Sequence, residues 1–402
     1  MKLYAHQKKV IESQRSKLCL AHETGTGKTL TLLSLVEKYA NNALIICPKG
    51  MREQWKVKIK EYGITKFCDV ITKEEHRRDF QKLRGYDAVV IDEVHFFSGN
   101  KSQMHKNLIH YLRRTQPRFV WSGTATTYRS EPFNIWALGV VHNYMPLNWM
   151  QFRNKFYHER YLGRRIIWEK NEGDEVVQQL HEYMQPWVDF ILLDDCFDMP
   201  EQIDEEPEML GLTKEQEKAI AELKNEEMNP LVMVSGTHQI ENGSLKGNEF
   251  RVDKHYKHRK IDRIIELAEQ NDKLLIFCRY TLQIRAYEAR LRELDYPVRT
   301  ITGENSDEHF IITRDAENSE KAIVIAQVSV AAGWELPSFP VVVYASMSYS
   351  YLDFVQSRGR VIRGNKLSRH VFLYLWTGDI DKAVYESIMQ KKDFDPLIYK
   401  PK

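Results

Sequence analysis

The sequence predicts an α/β protein built as two parallel-sheet lobes with helical insertions between them. Three observations point there. The 402 residues exceed the roughly 250–300 at which a single core stops growing. Short apolar runs rich in β-branched residues alternate with amphipathic stretches, as strand–helix units do. These runs fall in two blocks, separated by a stretch at about 130–260 that is rich in aromatic and charged residues and poor in such runs.

In the first block the runs are KLCLA (17–21), ALIICP (43–48), FCDVIT (67–72), DAVVIDE (87–93) and RFVWSG (118–123). In the second they are KLLIFC (273–278), VRTITG (298–303), KAIVIA (321–326), VVVYAS (341–346) and HVFLYLW (370–376). They are too short for helices and lack strict alternation, as strands buried on both faces of a parallel sheet do. KTLTLLSLVEKYA (28–40) and TLQIRAYEARLREL (281–294) are expected helices between them. In the middle stretch FNIWALGVV (133–141) and NWMQFRNKFYHERYL (148–162) read as helices with apolar faces. LTKEQEKAIAELKNEE (212–227) reads as a helix opened by Thr213, with Gln216 three residues on in a capping box. The acidic run EQIDEEPE (201–208) is expected to be a connector. The expected domains are lobe one at 1–200, with a helical insertion from about 130 to 200, a connector and helical protrusion at 201–260, and lobe two at 261–402.

Composition narrows the class. Fifty-eight Lys and Arg face 56 Asp and Glu, a formal charge of +2, which excludes a wholly basic coat but leaves room for local basic surfaces. The five cysteines (19, 47, 68, 196 and 278) are scattered with no CxxC pair, so neither a disulfide framework nor a zinc site is expected. The polar N-terminus carries no signal-peptide pattern, and no apolar run is long enough for a membrane span. A soluble, cytoplasmic protein is expected.

The first run leads into HETGTGKTL (22–30). In Thr24-Gly25-Thr26-Gly27-Lys28-Thr29 the glycines let backbone N–H groups curl round phosphates. Lys28 can reach the β- and γ-phosphates of ATP, and the Thr29 hydroxyl can hold Mg²⁺. The helix that follows adds its positive N-terminal end. His22 stands where the simplest form of this pattern has glycine. The run DAVVIDEVH then ends a buried strand on Asp92 and Glu93. Asp92 is expected in the Mg²⁺ shell, and Glu93 as the group that orients and polarises the attacking water. His95 either couples this site to the next strand or satisfies a local hydrogen bond.

The DEVH run resembles the DEAH-like box of superfamily-two helicases, and the resemblance continues in order along the chain. LYAHQ (3–7) is similar to an upstream glutamine motif, which implies that Gln7 contacts adenine. ALIICPKGMREQW (43–55) resembles a motif in which a strand ends at Pro48 and Trp55 follows on a helix. RFVWSGTAT (118–126) supplies Ser122, Gly123 and Thr124, which resemble the element coupling hydrolysis to motion. LLIFCRYTLQI (274–284) resembles the strand opening the second lobe. VSVAAGWELP (328–337) resembles a loop touching nucleic acid and the ATP site, with Gly333 and Glu335 as its working positions. QSRGRVIRGNK (356–366) puts Gln356, Arg360 and Arg363 at the spacing of the arginine-finger motif. On a helix, residues four and seven apart share one face, and guanidinium forks bind phosphate oxygens in pairs. The layout is most like the double-stranded-DNA translocases of the Swi/Snf type, with Ala125, Glu335 and Asn365-Lys366 as departures. This implies two RecA-like lobes.

A motor of this kind grips phosphates without reading bases. Lys49, Arg52, Arg129 and Arg279 are the expected contacts, and RVDKHYKHRK (251–260) is the densest basic cluster. The aromatics Trp149, Phe152, Phe156, Tyr157 and Tyr161 are expected to be core rather than base-stacking groups. The functional expectation is a monomeric, ATP- and Mg²⁺-dependent motor translocating on or remodelling double-stranded DNA. A strand-separating DNA or RNA helicase and a non-hydrolysing ATP-binding clamp are the alternatives.

Overall fold

A computed structural model describes residues 3–124, 132–162, 165–193, 195–225, 229–246, 253–330, 333–363, 367–396 and 399. The chain divides into two compact units, Met1–Phe197 and Asp198–Lys402. Each is a parallel α/β sheet with helices, so the fold is two RecA-like lobes.

In the first unit the five expected runs form β1 (Lys17–His22), β2 (Asn42–Cys47), β3 (Phe67–Thr72), β4 (Ala88–Asp92) and β5 (Phe119–Gly123). An antiparallel hairpin of β6 (Tyr157–Leu162) and β7 (Arg165–Lys170) follows, then β8 (Val188–Ile191). The sheet order is β3-β2-β4-β5-β1-β8, with every neighbouring pair parallel. Leu44, Ile46, Val89 and Ile91 pack into one core, and Ala43, Ile45, Ala88 and Val90 into another. Both faces of the central strands are therefore covered. Each such Leu, Ile or Val side chain contributes about 1.5–3 kcal/mol by leaving water, which is why these runs are apolar without alternation.

Two expectations in the middle stretch need correction. The helix expected over 148–162 is Trp149–Phe156 only, and its second half is β6. Tyr157 leaves the helix in an extended conformation and stacks on Phe133 with ring centroids 3.8 Å apart. YHERYL then pairs residue by residue with RIIWEK. Phe152, Phe156 and Tyr157 are core as expected, whereas Trp149 is half-buried and Tyr161 exposed. The expected helical insertion also contains β8, which completes the main sheet beside β1.

The second unit opens with β9 (Glu201–Asp204) and β10 (Glu208–Met209), followed by a small ribbon of β11 (Ser244–Leu245) and β12 (Lys254–His255). The five expected runs are β13 (Lys273–Cys278), β14 (Val298–Ile301), β15 (Ala322–Gln327), β16 (Val341–Tyr344) and β17 (Arg369–Trp376). The order is β10-β17-β16-β13-β15-β14, with β9 also on β17. The acidic run expected as a connector is thus sheet edge. Its acidity is used: Asp204 pairs with Arg358 and accepts from the Tyr374 hydroxyl at 2.5 Å.

Thr213 and Gln216 form the expected capping box on the helix Lys214–Lys224. That helix packs on Pro230–Glu241. Behind them lies a buried polar network. The Lys260 ammonium donates to Asp381 Oδ2 and Asn242 Oδ1, both at 2.7 Å, and to the Ala345 carbonyl at 2.6 Å. His238 Nε2 lies 3.1 Å from Asp381 Oδ1. Burial opposes the Asp381 charge, but Lys260 and His238 outweigh it and hold the carboxyl well below the usual carboxylate range. Lys260 belongs to the dense basic cluster 251–260, yet it is fully buried. His258 from the same cluster is buried and stacks on Tyr287.

Candidate functional site

β1 ends at His22, the loop 23–27 turns, and the helix Lys28–Tyr39 begins. Gly25 and Gly27 take φ of 98° and 82°, a left-handed conformation that costs an L-residue about 1–2 kcal/mol. Gly27 has a second reason. A Cβ there would stand 2.4 Å from Gln7 Nε2. Gln7 is fully buried and its amide donates to the carbonyls of Thr26 and Gly27 at 3.4 and 3.3 Å, while its oxygen accepts from Tyr4 N at 2.9 Å. Gln7, expected at the adenine, here braces the phosphate loop from beneath. Gly27→Ala is expected to destabilise the protein by about 1–2 kcal/mol and to weaken ATP binding, measured by denaturant midpoint and nucleotide titration. Unchanged values in both would show that the brace is idle.

Thr26 is buried, with its hydroxyl donating to the Glu23 carbonyl at 2.8 Å, while Thr24, Gly25 and Thr29 are half-buried. The Lys28 ammonium donates to the carbonyls of His22 (2.7 Å) and Glu23 (3.0 Å). The departure at His22 has a structural use. Its ring is buried and Nε2 lies 2.7 Å from Asp189 Oδ2 on β8. Glu23 adds to that tie, its N–H donating to Ile191 O at 2.9 Å and its carboxylate accepting from Leu193 N at 2.8 Å.

β5 lies between β1 and β4, and Gly123 is in register with Leu20 and with Asp92. A Cβ at Gly123 would meet Lys28 Cδ at 3.6 Å and Asp92 Oδ1 at 3.9 Å. The structure thus brings Lys28 and Asp92 together around that glycine, at the carboxyl ends of the strands, where open α/β sheets bind ligands. Asp92 and Glu93 are both buried. Trp55 Nε1 donates to Asp92 Oδ2 at 2.7 Å, a role for Trp55 that sequence alone did not show. Burial, then the Glu93 charge, push the Asp92 carboxyl up against the pull of Trp55 and Lys28. Glu93 has φ 51° and ψ 53°, a conformation rare outside glycine that functional turns tolerate. His95 Nδ1 lies 3.1 Å from Glu93 Oε2 and 3.0 Å from the buried Thr124 hydroxyl. The His95 ring thus touches both the acidic turn and the end of β5, an arrangement that fits either of its two readings. Ser122, beside it, meets the buried His142 Nε2 at 2.9 Å.

In the second unit the arginine spacing survives but its geometry differs from expectation. The helix Tyr351–Arg358 ends before Arg360, so Gln356, Arg360 and Arg363 do not share a helix face. A turn carries the arginines back onto the 334–336 segment instead. Arg360 donates to Trp334 O at 3.1 Å and Gln356 O at 3.0 Å, and Leu336 N donates to Arg360 O at 2.8 Å. Arg363 pairs with Glu335 at 2.8 Å. Both arginines are buried, Gly333 has φ 91°, and Glu335 is exposed. Glu335, which departs from the family pattern, is thus the partner of Arg363.

Residues 1–84 match the family described as type III restriction enzyme, res subunit, and residues 256–365 match the helicase conserved C-terminal domain. One match falls on each unit. The chain is thus similar to the superfamily-two helicases over a stretch of each unit. That is a family of ATP hydrolases. Two curated relatives are similar over part of the chain. "ATP-dependent RNA helicase dbp3" of Aspergillus clavatus is 30% identical over 134 residues, 31% of this chain and 26% of that protein. "Uncharacterized ATP-dependent helicase YqhH" of Bacillus subtilis is 26% identical over 155 residues, 32% of this chain and 27% of that protein. The matched stretch spans about a quarter of each relative's length. The solved structure "Sulfolobus solfataricus SWI2/SNF2 ATPase core in complex with dsDNA" aligns over 97% of this chain and 91% of its own, at 18% identity and a TM-score of 0.44.

The expected nucleic-acid contacts fare unevenly. Lys49 is exposed on the turn after Pro48. Arg52 is half-buried in an ion pair with Glu75. Arg279 follows β13, stacks over Tyr349 at 3.7 Å and approaches the Ser348 hydroxyl at 3.5 Å. Arg129, with Ala125, Asn365 and Lys366, lies outside the described residues. Among the described residues no helix is long and apolar enough to cross a membrane.

Proposed function

We propose that this protein is a superfamily-two helicase, a nucleic-acid-dependent ATPase that couples hydrolysis of Mg²⁺-ATP to translocation on, or remodelling of, double-stranded DNA. The observation that carries the reading is the convergence of Lys28 and Asp92 on Gly123, with Glu93 tied through His95 to Thr124. Loop N–H groups and Lys28 take the phosphates, Lys28 giving up its own loop carbonyls to do so. Two adjacent buried carboxylates, one pushed up by burial and by the other's charge, suit a divalent cation. Thr29 and Asp92 would hold Mg²⁺, which supplies charge neutralisation on the phosphates. Glu93 accepts the proton of the attacking water, and His95 relays the state of that carboxylate to β5. Arg360 and Arg363 are assigned the γ-phosphate charge that develops during transfer. The preference for duplex DNA rests on the motif order, and the similarity to a named RNA helicase makes RNA the natural competitor. ATP turnover measured without polymer and with single-stranded DNA, duplex DNA and RNA is expected to rise most with duplex DNA. Greater stimulation by RNA would overturn that preference.

Strand separation is the second reading, favoured by the β6–β7 hairpin. It exposes Tyr161, Ile166 and Ile167, apolar groups suited to wedging between bases. Release of a labelled strand from duplex would support it, whereas triplex displacement without strand release supports translocation.

A further inference from the structure

The helix Gln103–Thr115 and the helix Pro132–Val141 border an open groove of about 730 Å³. Its wall shares no residue with the phosphate loop or the Asp92–Glu93 turn. Two half-buried indoles, Trp136 and Trp149, line it with ring centroids 5.1 Å apart. Exposed Lys101, Lys106 and Arg113 are also in the wall, and no acidic residue is. The sequence carries the same bias. Acidic and basic residues nearly balance over the chain, yet no Asp or Glu stands between Glu93 and Glu131. The region also differs in how its charges are used. Arg114 is spent on the carbonyls of Phe80 and Leu83. Among the described residues Lys101, Lys106 and Arg113 make no ion pair or side-chain hydrogen bond.

Helix stability does not account for these cations. Arg113 in the last turn gains about 0.3–1 kcal/mol from the helix dipole. Lys106 is the fourth residue of the helix, close to the N-terminal end where a cation is disfavoured. Lys101 precedes the N-cap Ser102, at the end where a cation is disfavoured. Lys106, His110 and Arg113 are four and three residues apart, so they form one row along the helix. A row of cations beside paired indoles suits a polyanion whose bases are unpaired. Base–aromatic stacking contributes about 1–3 kcal/mol per base, and a duplex keeps its bases from the indoles.

We propose that this groove binds single-stranded nucleic acid, its phosphates on Lys101, Lys106 and Arg113 and its bases against Trp136 and Trp149. The proposal rests on the reading of the chain as a nucleic-acid motor and adds a second track, distinct from the candidates at the strand ends. The test is binding of a fluorescent (dT)15 oligonucleotide to the full chain across a salt series, for the wild type and the double variant Lys106→Gln/Arg113→Gln. Losing two phosphate contacts is expected to reduce the log–log salt slope by about 1.4 and low-salt affinity by about tenfold. Duplex-stimulated turnover is expected to hold. Photocrosslinking with a 5-iododeoxyuridine oligonucleotide is expected to mark Trp136 or Trp149. An unchanged slope and affinity, or crosslinks confined to other residues, would overturn the proposal. So would an acidic peptide that binds the groove while (dT)15 does not, which would assign the groove to a protein partner. If duplex DNA fails to stimulate turnover but (dT)15 binding still depends on Lys106 and Arg113, the groove stands and the translocase reading falls.

Discussion

Arg360→Lys is expected to lower kcat for ATP by about 10³–10⁵, the range an arginine finger supplies, with ATP binding little changed. Lysine keeps the charge but offers a point ammonium in place of a planar fork. The substitution also tests the fold, because Arg360 donates to the carbonyls of Trp334 and Gln356. Arg363, for its part, must leave Glu335 to reach a phosphate. Single-turnover kinetics beside a thermal melt separate the two effects. A stable Arg360→Lys variant retaining most of its turnover would remove Arg360 from the phosphoryl-transfer step.

Glu93→Gln is expected to cut turnover by about 10²–10⁴, the usual contribution of a general base, while ATP still binds. The amide has the shape of the carboxylate, so the buried turn and its positive φ persist. Its oxygen or nitrogen can still meet His95 Nδ1, which lies 3.1 Å from the native carboxylate. What disappears is the capacity to take a proton from water. Nucleotide affinity measured beside steady-state hydrolysis checks both halves, and hydrolysis at the native rate would show that Glu93 is not the base.

The ten core strands were legible because strands buried on both faces must be continuously apolar, and the RecA-like fold followed from their grouping. The edge strands were not. Val188 of β8 is buried but Phe190 is exposed, so the run lacks the doubly buried pattern. β9 carries Asp204 because its carboxylate meets Arg358 from far along the chain. In the site, residue types and spacing pointed to Lys28, Asp92 and Glu93, which the structure clusters. Tertiary capture was hidden from the sequence. It withholds Gln7 from the surface, takes the two arginines off their helix, and buries Lys260 against an aspartate 121 residues away.

The strand β8 has a consequence for any attempt to isolate the nucleotide-binding half. It flanks the phosphate-loop strand from about 170 residues downstream, through His22–Asp189 and through Glu23 to Leu193. A fragment stopped after β5 would leave β1 as a bare, apolar sheet margin, open to pairing with a neighbouring molecule. The smallest piece able to hold nucleotide without self-association therefore extends past Leu193, and the intervening helices and hairpin are part of its architecture.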